Sequence, residues 1–137
     1  GVAGYVKQIP NSIGYVEYAY ALQGGMTYAS MQNAAGNFVA PSAETFSKAA
    51  ESADWANAKD FNLVMTNAPG PNAYPITATT FVLMPTNPTD SAKSKAVLDF
   101  FRYALEHGSE QATKLDYVPL PSALVQQIES YVGQTIK

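Results

Sequence analysis

Ile76-Thr77-Ala78-Thr79-Thr80-Phe81-Val82-Leu83-Met84 is the stretch on which the fold turns. It is rich in β-branched and apolar residues, and they fall on both alternating sets of positions. A strand that is apolar on both faces is covered by helices on both sides, as in α/β sheets. The pattern therefore predicts a central strand with Phe81 buried, in a mostly parallel or mixed sheet. Pro85 and Pro88 end it, because proline cannot donate to a ladder.

Helices flank this strand on its C-terminal side. Thr89 or Asp90 is placed to cap a helix over 90–107 that ends before Gly108. Val97, Phe100, Phe101, Ala104 and Leu105 form its apolar stripe, with Lys93, Lys95, Asp99, Arg102 and Glu106 on the wet side. A short helix over 109–115 follows, then the turn Asp116-Tyr117-Val118-Pro119-Leu120-Pro121. Pro121 fits the first turn of a last helix whose buried face is Leu124, Val125, Ile128, Tyr131 and Val132.

On the N-terminal side, Ala68-Pro69-Gly70-Pro71-Asn72 is a breaker cluster and the one candidate linker. Before it, Phe61, Leu63 and Met65 alternate with Asn62, Val64 and Thr66, as in a half-buried strand. Ser42 is placed to cap a helix carrying Phe46, Ala49, Ala50 and Ala53 on one face, and Trp55 closes a core beyond it. Thr27–Gln32 and Asn37–Val39 flank Asn33-Ala34-Ala35-Gly36 as a hairpin, with Gly36 supplying a positive φ. Ile13–Val16 reads as a short strand, and 17–23 as a helix stopped by Gly24-Gly25. Gly1–Gln8 has helical spacing but no capping residue, so it reads as the end of a helix begun earlier.

Composition narrows the function. The 137 residues carry 8 Lys+Arg against 11 Asp+Glu, a net charge of −3, too sparse and acidic for a phosphate-backbone binder of nucleic acids. The apolar runs fall short of the ~18 residues of a membrane span. There is no cysteine, which excludes disulfides, thiolate catalysis and cysteine-ligated metals, and the single His107 makes no metal site. His107 instead suits the negative end of its helix. The carboxylates Asp54 and Asp60, or Glu17 and Asp116, have no spacing that joins them as an acid–base pair. Neither Gly24-Gly25 nor Pro69-Gly70-Pro71 has the pattern of a phosphate loop, and Thr77, Thr79 and Thr80 do not converge on one strand face. The tyrosines, with Tyr15, Tyr18 and Tyr20 close together, suit core and boundary positions better than a stacking surface. No serine sits in a nucleophile elbow. The residues thus describe an α/β chain without a catalytic constellation, and no cofactor is implied.

Three blocks carry a resemblance. The string from Gly1 to Ala21, with Ile13-Gly14-Tyr15-Val16-Glu17-Tyr18-Ala19-Tyr20-Ala21 at its end, resembles a block of the bacterial periplasmic phosphate-binding proteins, the receptors of the phosphate ABC transporter. Ala73–Phe81 is similar to their Trp-Pro-Ile strand, with Tyr74 where Trp is usual, and Leu115–Pro121 to the turn before their last helix. The resemblance implies the C-terminal portion of a two-lobed, type II periplasmic-binding-protein fold, with helices packed on mixed β-sheets. It implies residues 1–72 in the second lobe, 73–84 as the crossover strand back to the first lobe, and 85–137 as C-terminal helices of the first lobe. Tyr74, Pro75, Ile76 and Thr77 become hinge candidates. The family's ligand motifs, among them Arg-x-Asp-x-Ser-Gly-Thr, lie upstream of these blocks and do not occur here, so no ligand residue is expected in this chain. The implied protein is a periplasmic binding subunit and not an enzyme. Its partners are inorganic phosphate, a membrane permease and the missing N-terminal portion of the same protein. The alternatives are a receptor for another tetrahedral oxyanion, such as sulfate or molybdate, and a non-transport interaction module. A free chain of this kind is expected neither to bind phosphate nor to behave as a monomer.

Overall fold

A computed structural model describes residues 1–136. Its best-packed part is built on α3 (Ala43–Ser52). Ser42 caps this helix as expected: its Oγ accepts from the Thr45 N–H at 3.2 Å, and Thr45 Oγ1 accepts from the Ser42 N–H at 2.9 Å. Thr45 thus fills the place that Glu or Gln takes in the usual reciprocal box. Ser42→Ala should cost about 1 kcal/mol in chemical denaturation, since it strips an acceptor from the first turn.

Beyond α3 the chain makes two single turns, Trp55–Asn57 and Lys59–Phe61. The buried residues Ala50, Trp55 and Met65 meet Leu124 of α6 (Ser122–Thr135), with Phe61, Leu63, Leu120 and Ile128 around them. Trp55 Nε1 donates to the Ala50 carbonyl at 2.7 Å, so the indole is buried without an orphaned N–H. The alternation of Phe61, Leu63 and Met65 inward and Asn62, Val64 and Thr66 outward is present, although the segment lies outside any sheet. The α6 stripe is also as read: Leu124 is buried and Val125, Ile128, Tyr131 and Val132 are half-buried. Tight approach of the breaker loop to α3 depends on small residues. Ala49, Ala68 and Ala73 form their own buried cluster, and a Cβ on Gly70 would fall 2.9 Å from Ser52 Oγ.

β1 (Met31–Gln32) and β2 (Phe38–Val39) pair antiparallel, Met31 opposite Val39 and Gln32 opposite Phe38, with Gly36 at φ 84° in the turn. This hairpin is the only sheet among the described residues. α1 (Val2–Gln8) and α2 (Tyr18–Gln23) precede it, α1 without a side-chain cap.

Three expectations are corrected. Residues 76–84 do not form a central strand: Phe81 is 51% and Leu83 94% exposed, and Ile76 and Val82 are open as well. Residues 13–16 form no strand either, with Ile13 93% exposed. The reason is the same for both. A strand needs neighbours to satisfy its N–H and C=O groups, and a hairpin with two residues in each strand is too short to offer them. The mixed sheets expected under the helices are therefore not formed by the described residues. α4 (Ser91–His107) has the predicted cap, with the Lys93 N–H donating to Asp90 Oδ1 at 2.9 Å, and stops at Gly108. Its apolar stripe is not buried, however. Phe100 is 64% exposed, Val97 and Ala104 are open, Phe101 and Leu105 are only half-buried, and Ser94 is its one buried residue. Periodicity specified the helix, but burial also requires a surface to pack on. α5 (Ser109–Lys114) follows directly.

Candidate crossover site

The hinge candidates sit where the packed body gives way to the open segment. The Tyr74 N–H donates to the Thr45 carbonyl in α3 at 3.1 Å, and the Asn67 N–H donates to the Pro75 carbonyl at 2.8 Å. Thr77 Oγ1 turns back to the Tyr74 carbonyl at 2.7 Å. Pro75 and Thr77 are buried, Tyr74 is half-buried, and Ile76 is exposed. Residues 73–75 are thus held by backbone bonds and Thr77 by its hydroxyl, whereas from Ala78 onward the chain is mostly open.

Aromatic rings extend the anchor. Tyr28 packs edge-on against Tyr18, Tyr18 against Phe46, and Phe46 against Tyr74, with centroids 5.4–5.6 Å apart. Such edge-to-face pairs add about 0.5–1.5 kcal/mol each beyond their area. Ala19 and Ala21 are the buried residues of α2, while Tyr15 and Tyr20 stay open. Burial raises the Tyr74 phenol above its ordinary value, and burial first, then Tyr28, raises that of Tyr18. The Tyr74 hydroxyl donates to the Ala29 carbonyl at 3.3 Å.

Asn33, a turn residue by its place in the sequence, does more in the structure. Its Oδ1 accepts from the Ala35 and Asn37 N–H groups at 3.1 and 3.0 Å. Its Nδ2 faces the carbonyls of Gly70, Pro71 and Ala73 at 3.3, 2.9 and 3.2 Å. Asn37 Nδ2 adds a bond to the Pro71 carbonyl at 2.9 Å. The local half of this arrangement is ordinary asparagine turn chemistry. The other half joins residues 37–40 positions apart.

The other candidate groups have structural partners. Asp54 accepts from Asn57, and Asp60 from the Tyr131 hydroxyl. Glu17 accepts from the Tyr117 hydroxyl at 3.1 Å, and Asp116 Oδ2 from Gln23 Nε2 at 3.3 Å, so the 116–117 turn docks on α2. His107 ends α4, its ring 4.8 Å from that of Tyr103 and its Nε2 3.5 Å from Glu106. Among the described residues no group of three or more metal-ligating side chains gathers, and no helix is long and apolar enough to cross a membrane. The bond to Asp60 is the main cause that raises the Tyr131 pKa. A raised folded-state value means that the contribution is present below the ordinary tyrosine range and lost as pH climbs through the folded value. Stability should therefore fall above about pH 10, and Tyr131→Phe should flatten that fall in urea titrations run at about pH 8 and about pH 11.

Comparison with known proteins gives these features a setting. The chain is 61% identical over all 137 residues to the phosphate-binding protein PstS of Xylella fastidiosa, covering 38% of that protein. It is 48% identical over its full length to that of Pasteurella multocida, covering 40%, and 45% identical over 130 residues to that of Haemophilus influenzae, covering 39%. The chain thus resembles these phosphate-binding proteins from end to end and spans about two fifths of their length. No protein-family model matches it.

Proposed function

We propose that this chain is part of a periplasmic receptor that captures inorganic phosphate and delivers it to an ABC-transporter permease. The observation that carries the reading is the end-to-end similarity to several proteins named for phosphate binding. In this reading the chain supplies framework and crossover rather than anion donors. Backbone N–H groups, hydroxyls and an arginine in the remainder of the protein hold the phosphate. Residues 1–72 lie in the second lobe, 73–84 cross back, and 85–137 add the C-terminal helices of a two-lobed, type II fold. Anchoring of 73–77 on α3 beside an open segment from Ala78 supports a crossover there, with Tyr74, Pro75, Ile76 and Thr77 as its hinge. α6 touches the Trp55 cluster, so α4 and α5 best suit the assignment to the first lobe. The protein acts by binding and lobe closure, and not as an enzyme.

A fusion in which this chain replaces the matching stretch of the Xylella fastidiosa protein tests whether the chain can serve as the framework of a phosphate receptor. Phosphate should raise its melting temperature and sulfate or molybdate should not. No rise in melting temperature with phosphate would count against the receptor reading.

A further inference from the structure

We infer that Asn33 is a positioning residue for the crossover, fixing where residues 70–77 leave the α3 body and thereby tuning ligand affinity without touching ligand. This inference rests on the receptor reading above. Asn33 is buried, and each side of its amide is engaged: Oδ1 by two backbone N–H groups, Nδ2 by three carbonyls. Only an asparagine-like amide meets both demands, because carbonyls require a donor and N–H groups an acceptor. Two of the three carbonyls flank the tightest part of the loop, at Gly70 and Pro71, and the third belongs to Ala73, immediately before the hinge candidates. Beneath the loop Ala49 and Ala73 are fully buried and offer no polar group, and beside Asn33 the Asn37 amide adds a single bond, to Pro71. The hairpin turn is therefore the clamp on the start of the crossover.

Asn33→Asp separates the two halves of the clamp. It keeps an acceptor for Ala35 and Asn37 but cannot donate to the loop, and it turns a negative charge toward three carbonyls. In the Xylella fastidiosa fusion, hydrogen exchange should accelerate at 67–77 in both Asn33→Asp and Asn33→Ala, whereas the Ala35 and Asn37 amides stay protected in the Asp variant alone. Phosphate binding in the Asp variant should weaken by about tenfold through faster release, with the association rate little changed. Asn37→Ala, which removes only the bond to Pro71, should give a smaller change in the same direction. Unchanged exchange at 67–77 would overturn the clamp. Faster exchange with unchanged phosphate release would overturn its tuning role and leave Asn33 a stabilising residue. An unsubstituted fusion that ignores phosphate would instead count against the receptor reading, and the exchange result would still decide the clamp.

Discussion

Trp55→Ala is expected to destabilise the fold by about 3–5 kcal/mol, the range for deleting a buried tryptophan. The indole joins α3 to α6: it touches the cluster of Ala50, Met65 and Leu124, and its N–H satisfies the Ala50 carbonyl at 2.7 Å. Removing it opens a cavity where the two helices share a core, and it strips a partner from the Ala50 carbonyl. Trp55→Phe separates these effects. It keeps much of the ring volume and loses the donor, so it should cost about 1–3 kcal/mol. Urea unfolding of the Xylella fastidiosa fusion, followed by circular dichroism, measures both. A loss below about 1 kcal/mol for Trp55→Ala would mean that α6 does not depend on this contact.

The second large effect concerns the 137 residues on their own. They are expected to self-associate and to leave phosphate in solution. Phe81, Val82 and Leu83 are open on the 76–84 segment, and Phe100 and Tyr103 on α4. Apolar faces of this kind, beside backbone groups without ladder partners, favour association. A dianion will not leave water without a preorganised set of donors, and the resemblance puts the arginine and glycine–threonine loop that would supply them elsewhere in the protein. Light scattering on the isolated chain should give a mass well above the monomer's 14.7 kDa, and the fusion should restore a monomer.

The contrast between helices and strands explains what was legible. Helix signals are local: the Ser42 and Asp90 caps and the Gly108 stop each stand where the sequence placed them. The Gly36 turn is local too, and the hairpin formed around it. The strand over 76–84 is not local. Its apolar pattern states what it would pack against, and none of the described residues supplies that surface. α4 shows the same division within one element, a well-capped helix with Phe100 left in water. The proline and glycine cluster marked the 69–72 loop, but the bonds of Asn33 to it were hidden because their partners lie 37–40 residues away. The docking of Asp116 and Tyr117 on α2 was hidden for the same reason, at separations of 93 and 100 residues.

Isothermal titration of inorganic phosphate, run in parallel on the isolated 137 residues and on the Xylella fastidiosa fusion, tests the assignment most directly. One-to-one binding by the fusion and no heat of binding from the isolated chain is the predicted result. Tight one-to-one binding by the isolated chain as a compact monomer would contradict it, and would move the site onto Thr77, Thr79 and the 69–72 loop.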